Sequence, residues 1–382
     1  MLFRTDRKQK KRTVSKTHFV FIAGEVCLCF VFFVSAYLVG STKLFSEEYT
    51  VAISGAQVRA EEKTFSPPPL LALDTVLYEQ RLIAMANSGT STIVATTTAT
   101  STARAASVRR LWPVKTAYPN AGALLPFKRI VAYYGNFYSK GMGVLGQYPP
   151  EEMLQRLKKE VQKWEAADPD TPVVPAIHYI AVTAQGSAGA DGKYRLRMPE
   201  SQLDQAVALA GEVNGLVFLD VQVGLSTLQK EVPLLEKYLK MPQVHLAIDP
   251  EFSMKTGARP GTVIGTFNAA DINYAANYLA KLVQENNLPP KVFIVHRFTG
   301  PMVTNHKKIT PLPEVQIVMD MDGWGSPAKK KGTYEAFIYS EPVQFTGFKL
   351  FYKNDLRPPS TRMLTPKEIL ALKPRPLYIQ YQ

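Results

Sequence analysis

The chain has 382 residues, of which 46% are hydrophobic, 20% are charged and two are cysteines, and its formal net charge is +13. This length allows one large domain with a sizeable core and additional segments. Both cysteines, Cys27 and Cys29, lie near the amino terminus, so the rest of the sequence can form no disulfide and no cysteine-ligated metal site, and the positive charge forms no nucleic-acid-binding stripe or motif. We therefore expect no nucleic-acid partner.

The first 40 residues predict a membrane anchor. Residues 1–17 are a basic tail with seven Lys or Arg and one Asp, and residues 18–40 are almost wholly apolar. Such a stretch is long enough to cross a bilayer as a helix, and its basic flank predicts an amino terminus inside the cytoplasm. A cleaved signal peptide and a lipoprotein signal are the alternatives. SAYLVGS is a poor cleavage site, and neither Cys27 nor Cys29 follows the small residues that a lipoprotein requires.

Residues 41–127 predict a stalk outside the bacterial cytoplasmic membrane. Within it, residues 72–86 show apolar side chains at helical spacing with Asp74 as a candidate N-cap, which indicates a short amphipathic helix near the membrane. Residues 88–107 are rich in Thr, Ser and Ala, and this composition is typical of a disordered linker.

From residue 128 to residue 382, short apolar runs alternate with amphipathic stretches. The predicted strands are 129–134, 173–180, 215–222, 243–250, 291–298, 315–322, 343–352 and 377–382. The predicted helices are 150–165, 199–212, 226–240, 269–286, 300–308, 326–337 and 365–372, and residues 262–267 are predicted as loop. Eight strands separated by helices predict an α/β fold, a (β/α)8 TIM-type barrel. A doubly wound open sheet is the alternative, but no glycine-rich phosphate turn follows the first strand.

Polar side chains collect at the predicted carboxyl ends of the strands, where such barrels place their active sites. Acids occur there at two-residue spacing, so each pair shares a face. The candidate catalytic residues are Asp220, Asp249, Glu251, Asp320 and Asp322. The candidate substrate-binding residues are Tyr134, His178, Gln222, His296, Arg297, Trp324, Lys349 and Tyr352. A single acid at a strand end is often a cap, but recurrence on three strands favours a site.

Clustered carboxylates raise one another's pKa, and glycoside cleavage needs one protonated acid beside one ionised acid. The sequence therefore predicts a glycoside hydrolase acting on cell-envelope or extracellular polysaccharide. Glu251 is the expected general acid, and Asp320 or Asp322 the expected base or nucleophile. Trp324 is an expected platform for a sugar ring, as are Phe252 and Phe298.

Two other functions remain open at this point. His178, His296 and Arg297 would suit a phosphodiesterase with one histidine as base, the other as acid and the arginine on the phosphate. A barrel that binds a glycan without cleaving it is the other alternative. No cofactor is required by these chemistries. The carboxylates could hold Ca²⁺ or Mg²⁺, whereas no histidine-rich spacing indicates zinc.

The exported part also carries a family resemblance. The stretches that carry it include VAYYGNFYSKGMGVLGQYPPEEML (131–154), GLVFLDVQVGLSTLQKEVPLLEKYL (215–239), VHLAIDPEFSM (244–254), PPKVFIVHRFT (289–299) and VQIVMDMDGWG (315–325). Across nearly all of 128–382, the sequence resembles a group of uncharacterised exported bacterial barrel proteins, often lipoproteins, from actinobacteria and related lineages. The resemblance implies an extracytoplasmic barrel and assigns no reaction. The chain departs from the group in having a predicted anchor and stalk instead of a lipoprotein cysteine.

Overall fold

The computed structural model describes residues 70–87 and 110–382. The predicted basic tail, membrane anchor and Thr/Ser/Ala-rich linker lie outside these residues. In the part that is described, no helix is both long enough and apolar enough to cross a membrane.

Eight parallel strands form a closed barrel. They are β1 (Arg129–Gly135), β2 (Val173–Ala184), β3 (Leu216–Val221), β4 (Val244–Ile248), β5 (Lys291–Arg297), β6 (Val315–Met321), β7 (Phe345–Leu350) and β8 (Tyr378–Tyr381). Each strand pairs in parallel with the next, and β8 pairs with β1. A short strand at Arg195–Arg197 is antiparallel to the end of β2. The predicted (β/α)8 barrel and all eight of its strands are confirmed.

Helices surround the barrel or precede it. They are α1 (Thr75–Ala86), α2 (Pro150–Ala167), α3 (Glu200–Gly211), α4 (Leu228–Glu231), α5 (Glu236–Leu239), α6 (Ala269–Glu285), α7 (Pro327–Tyr334) and α8 (Pro366–Leu370). The sequence signals at their starts are present as contacts: Asp74 accepts a hydrogen bond from the Leu77 amide, and Asn268 and Asp271 form a capping box. These bonds satisfy amides that have no partner within a helix.

Two predicted helices differ from the structure. Residues 300–308 are not a helix but two 3₁₀ turns around a two-residue strand, Val303–Thr304, which pairs with Phe267–Asn268. The Arg297 guanidinium donates hydrogen bonds to the carbonyls of Thr299, Gly300 and Val303. A helix would use these carbonyls for its own backbone hydrogen bonds, so the arginine replaces them.

The second difference concerns residues 226–240, which the sequence predicts as one helix. They form α4 and α5 with a 3₁₀ turn, Val232–Leu235, between them. Pro233 lies in that turn and has no amide hydrogen to donate, so the regular helical pattern cannot continue through it.

Helix α1 covers the amino-terminal end of the barrel. Its buried residues Tyr78, Leu82 and Met85 join the same hydrophobic cluster as the interior strand residues Ile130 and Val292. The Arg375 amide donates to the Met85 carbonyl at 2.7 Å. This helix, which the sequence analysis places in the stalk, thus packs on the barrel, because its apolar face is buried in that cluster.

Residues 110–127, the end of the predicted stalk, also belong to the barrel domain. Trp112 is buried and donates its indole N–H to the Tyr339 carbonyl at 2.8 Å. The buried Gln316 side chain accepts from the amides of Leu124 and Leu125. These contacts fix the segment across the amino-terminal end of the barrel, opposite the carboxyl ends of the strands.

Candidate functional site

A cavity of about 620 Å³ opens at the carboxyl ends of the strands. Seven of the predicted site residues line it: Tyr134, Gln222, Asp249, Glu251, Asp322, Trp324 and Lys349. Phe252 and Phe298 line it as well, as expected for the aromatic walls. The position is the one where this fold places its active sites.

The two-residue period of a strand explains how β6 contributes to the site. Met321 points outward into the core between strands and helices, so Asp320 and Asp322 both point inward. They lie at different depths: Asp320 is 0% exposed, whereas Asp322 is 8% exposed and lines the cavity. Of the two candidates for base or nucleophile, Asp322 is the one that a substrate can reach.

A buried polar layer lies beneath the cavity, formed by His178, Asp220, His296 and Asp320, all 0% exposed. His296 Nδ1 is 3.1 Å from Asp320 Oδ2, and the two residues are direct neighbours across β5 and β6. The Nε2 atoms of His178 and His296 each lie 3.7 Å from Asp220 Oδ2. These four predicted site residues come together, but they support the cavity rather than line it.

Gly347 on β7 makes room for this layer. A Cβ atom at residue 347 would lie 2.5 Å from Asp320 Oδ1 and 2.9 Å from the Tyr378 ring. Real Cβ atoms do not approach so closely, so only glycine allows the Asp320 carboxyl to lie inside the barrel at this level.

Burial sets the protonation of this lower layer. It raises the pKa of Asp320 to about 7 and lowers the pKa of His296 to about 4. It also raises the pKa of Asp220 and lowers that of His178 well below its usual value. Both imidazoles are therefore neutral at pH 7, because the desolvation of a charged imidazolium is unfavourable.

The cavity itself holds three carboxyl groups with different surroundings. Asp322 Oδ1 is 3.0 Å from the Lys349 ammonium, which lies 3.8 Å from the centre of the Tyr134 ring. Asp249 accepts hydrogen bonds from the Gln222 side chain at 3.2 Å and from the Glu251 amide at 3.0 Å. The Glu251 carboxyl is partly buried and forms no ion pair within the described residues, although the Lys349 charge also acts on it and lowers its pKa.

These surroundings separate the carboxyl groups in acidity. Burial, with the nearby Asp322 carboxylate, raises the pKa of Glu251 to about 7. Burial also raises the pKa of Asp322, but Lys349 and His296 oppose that rise. The pKa of Asp249 lies well above its usual value, because of burial and of the surrounding carboxylates Asp220, Glu251 and Asp322. Glu251 is thus suited to hold a proton near neutral pH, while Lys349 favours the ionised form of Asp322.

Two further predicted binding residues, Arg297 and Tyr352, lie neither in the cavity lining nor in the layer beneath it, which corrects their sequence-based assignment. Arg297 follows the inward-pointing His296, so it points outward, where it is buried and pairs with Glu341 at 2.7 Å. Tyr352 contacts Tyr133 and Glu160 on the helix side of the barrel. Neighbouring strand residues face opposite ways, which accounts for both.

The cavity also contains residues that the sequence analysis did not select. They are Gly141, Met142, Ile180, Ala184, Thr299, Gly323, Lys329, Thr333, Phe351 and Gln382. Phe351 and Gln382 are each two residues beyond an inward-pointing side chain, Lys349 and Gln380, so strand alternation was a signal that could have found them. Lys329 and Thr333 are four apart on α7 and share its face.

Trp324 stands at the edge of the cavity with 43% of its surface exposed. The Lys329 ammonium is 4.8 Å and the Arg357 guanidinium 5.4 Å from its ring. These cation–π contacts hold the ring in place and leave the indole accessible from the cavity.

The histidine and aspartate side chains of the lower layer could hold a metal ion. One ligand atom each from His178, Asp220 and His296 lies within 4.8 Å of the others. The Ca²⁺ or Mg²⁺ ion that the sequence predicts would instead be bound by the carboxylates of the cavity. One of these carboxylates, that of Asp322, is already paired with the Lys349 ammonium.

Comparisons with known proteins were made for the whole chain. No family model matches the sequence, and no curated protein matches it. Among solved structures, a trimodular GH5_4 subfamily endoglucanase is similar with a TM-score of 0.36 and 10% identity, over 67% of this chain and 56% of that chain. A GH36 alpha-galactosidase from Geobacillus stearothermophilus, in complex with 1-deoxygalactonojirimycin, is similar with a TM-score of 0.32 and 9% identity, over 67% and 39%. The chain therefore spans between about two fifths and just over half of these proteins, and a likeness this distant carries no argument about activity.

Proposed function

We propose that the barrel is a glycoside hydrolase whose proton donor is Glu251 and whose second carboxylate is Asp322. The observation that supports this most strongly is the contrast between the two groups in one cavity. Asp322 lies 3.0 Å from an ammonium, and Glu251 has its pKa raised to about 7 by burial and by Asp322. Hydrolysis of a glycoside uses such a pair, one protonated and one ionised.

Glu251 would donate its proton to the oxygen of the leaving sugar as the glycosidic bond breaks. Its carboxyl group is accessible from the cavity, and it directly follows Pro250 at the end of β4. The neighbouring Asp249, which is held by Gln222 and by the Glu251 amide, would fix the turn that presents the acid. A positioned donor of this kind accelerates cleavage by about 10²–10⁴-fold.

Asp322 would act on the anomeric carbon, either directly or through a water molecule. Its oxygens are oriented by Lys349 at 3.0 Å and by His296 Nδ1 at 3.4 Å. Both contacts favour a carboxylate that carries charge and has a fixed position. The same charge would stabilise the positive character that develops on the sugar ring.

The walls of the cavity suit a sugar chain. Trp324, Phe252 and Phe298 offer apolar ring faces, and Gln222 and Lys349 offer hydrogen-bond donors among them. Sugar rings present C–H faces to aromatic groups and hydroxyl groups to polar ones. We infer that the substrate is a polysaccharide of the cell envelope or the surrounding medium.

The phosphodiesterase interpretation loses support from the same contacts. Its arginine, Arg297, is directed away from the cavity and donates to Phe337, Gly300 and Glu341. His178 and His296 are fully buried below the cavity. None of these side chains is placed to bind a phosphate in the cavity.

We also propose that the barrel is held at the outer face of a bacterial cytoplasmic membrane by residues 18–40. This rests on their apolar sequence and on the basic tail before them. The resemblance to exported barrel proteins supports the same location.

The proposal is tested with the full chain in detergent, incubated with a panel of envelope and extracellular polysaccharides, and with products identified by mass spectrometry. Glu251→Gln removes the acidic proton but keeps the shape of the side chain. Glu165→Gln, on the exposed surface of α2, makes the same chemical change away from the cavity.

We expect glycan fragments from the wild type and from Glu165→Gln, and a loss of about 10²–10⁴-fold with Glu251→Gln. Binding of a glycan without any product would contradict the hydrolase and support the glycan-binding alternative. Release of phosphate esters from a phosphodiester substrate would support the phosphodiesterase instead.

A further inference from the structure

Three ligand atoms of the lower layer converge on one point at the centre of the barrel. The Nε2 atoms of His178 and His296 each lie 3.7 Å from Oδ2 of Asp220. The three residues come from β2, β3 and β5, and all are 0% exposed. Side chains separated by many residues in the sequence are thus brought within 4.8 Å by the closure of the barrel.

Both nitrogen atoms at this point lack hydrogen bonds: His178 Nε2 and His296 Nε2 have no partner among residues 70–87 and 110–382. Asp220 Oδ2 accepts from the Tyr134 hydroxyl, but the other oxygen of this carboxyl, Oδ1, has no partner in the same part of the chain. A buried polar atom without a partner is unfavourable, so two unpartnered imidazole nitrogens aimed at one carboxyl group indicate that something binds there.

The outer contact of His296 suits a metal ligand, and that of His178 does so once the Gln380 amide is flipped. His296 Nδ1 is 3.1 Å from Asp320 Oδ2, so its proton is held on Nδ1 and the lone pair of Nε2 faces the centre. His178 Nδ1 is 2.5 Å from the Tyr378 hydroxyl and 3.0 Å from the Gln380 amide. The Gln380 Oε1 atom has no partner in the described part of the chain, and a flip of this amide would let Oε1 accept from Nδ1–H.

Asp220 has no basic partner other than the two histidines. Among the described residues, no Lys or Arg side chain lies within ion-pair distance of its carboxyl, while the Lys349 ammonium pairs with Asp322 at 3.0 Å. A divalent cation between His178, Asp220 and His296 would give this fully buried side chain a positively charged partner.

We propose that His178, Asp220 and His296 form a binding site for a divalent transition-metal ion of the zinc type. Two imidazole nitrogens with one carboxylate oxygen favour Zn²⁺ and its neighbours over Ca²⁺ and Mg²⁺, which prefer oxygen ligands. Tetrahedral Zn²⁺ with bonds of about 2.0–2.2 Å separates its ligand atoms by roughly 3.4 Å. The two 3.7 Å separations between nitrogen and oxygen therefore need to close by only a few tenths of an ångström, and the third, between the two imidazole nitrogens, lies within 4.8 Å.

The site is closed from the cavity by Tyr134. Its hydroxyl donates to Asp220 Oδ2 at 3.2 Å, and its ring lies 5.1 Å from the His178 ring and 6.1 Å from the His296 ring. Phe218 stacks on His178 at 5.5 Å on another side. The ion would thus fix the floor of the cavity without contacting a substrate, and the inference does not rest on the proposed hydrolysis.

The test measures metal binding by the purified full chain, carrying an affinity tag without histidines and stripped with a chelator. The metal-free protein is exposed to Zn²⁺, passed through gel filtration and analysed for retained metal. Asparagine keeps a polar atom near the position of Nδ1 and removes Nε2, so His178→Asn and His296→Asn delete the ligand atoms with little other change. His245→Asn is the matched control, because this buried histidine uses Nδ1 to accept from the Val292 amide.

We expect about one Zn²⁺ per chain for the wild type and for His245→Asn, with affinity lowered at least roughly 100-fold in His178→Asn and His296→Asn. Asp320→Asn, which weakens the orientation of His296, should lower the affinity by about 10–100-fold. Substitution of Co²⁺ into the wild type should give the intense visible absorption of a four-coordinate ion.

The inference is overturned if the folded wild type retains no zinc, or if both ligand variants retain as much as the wild type. A weak six-coordinate Co²⁺ spectrum of the wild type would overturn it as well, even if the variants failed to fold. These readouts are independent of glycan cleavage, so a missing substrate would not affect them.

Discussion

Lys349 Nζ lies 3.0 Å from Asp322 Oδ1, and this ion pair joins the ends of β7 and β6 inside the cavity. Both side chains are largely buried, with 3% and 8% of their surfaces exposed. A buried ion pair holds its members in a fixed geometry because neither can exchange its partner for water. It distinguishes Asp322 from Glu251, which has no such partner among the described residues.

Loss of this ammonium should change the acid side of the pH profile. In Lys349→Met, the favourable charge beside Asp322 is gone, so the pKa of Asp322 rises further and a higher pH is needed to deprotonate it. Because Asp322 acts as a carboxylate, we expect the acid limb of kcat/KM to move up by about 1–3 pH units. Lys158→Met, on the exposed face of α2, should leave the limb in place. An unchanged limb in Lys349→Met would contradict the role of the pair.

The basic limb of the pH profile of kcat/KM should follow the deprotonation of Glu251. Its pKa is raised to about 7 by burial and by Asp322, and it acts as an acid, so it must be protonated. Activity should therefore fall by about tenfold per pH unit above this pH, while below it only the protonation of Asp322 limits the rate. The measurement is kcat/KM against pH between 5 and 9 at constant ionic strength. A profile that keeps rising through pH 8 would assign the proton donor to another group.

The aromatic edge of the cavity should affect binding more than chemistry. In Trp324→Ala, a ring that is 43% exposed at the cavity is removed, together with its cation–π contacts to Lys329 and Arg357. We expect KM to rise roughly 5- to 10-fold with kcat nearly unchanged. Tyr118→Ala, which removes an exposed ring far from the cavity lining, is the control. A fall in kcat alone would argue against a sugar platform.

The packing of α1 against the barrel should contribute to the free energy of unfolding. Leu82 is 6% exposed in the cluster at the amino-terminal end of the barrel, whereas its neighbour Ile83 is 65% exposed. Leu82→Ala should lower the free energy of unfolding by about 2–4 kcal/mol, because it leaves a cavity in that cluster. Ile83→Ala should change it by less than about 0.5 kcal/mol. Equal effects in urea denaturation would mean that the helix does not pack there in solution.

The fold followed from the sequence because its strongest signals are local. Eight apolar runs bounded by turn residues and helix starts such as Asn268 and Thr365 predict a barrel without knowledge of long-range contacts. The packing of α1 could not be predicted in the same way. An amphipathic helix shows which face is buried, but its sequence does not show whether a membrane or a barrel covers that face.

The candidate site was predicted in part, and the two predicted residues that point outward, Arg297 and Tyr352, share one physical cause. Strand alternation was applied to Asp320 with Asp322 but not to β5 and β7, where Arg297 and Tyr352 were chosen beside His296 and Lys349. Arg297 is one residue and Tyr352 three residues from an inward-pointing side chain, so both point outward. The same rule would have selected Phe351 in place of Tyr352.

Depth inside the barrel could not be obtained from the sequence. Asp320 and Asp322 share a face, yet only the second lines the cavity, because the side chains of a barrel fill it in layers. The convergence of His178, Asp220 and His296 depends on barrel closure, since these residues lie on three strands. No residue spacing along the chain predicts this convergence.

The most direct test of the proposed hydrolysis is the fate of solvent oxygen in the products. A polysaccharide that the full chain cleaves is digested in ¹⁸O-labelled water, and the fragments are weighed by mass spectrometry. The account predicts one solvent oxygen at each new reducing end, in fragments that disappear with Glu251→Gln and persist with Glu165→Gln. Fragments with unsaturated ends and no solvent oxygen, or fragments formed equally well by Glu251→Gln, would contradict it.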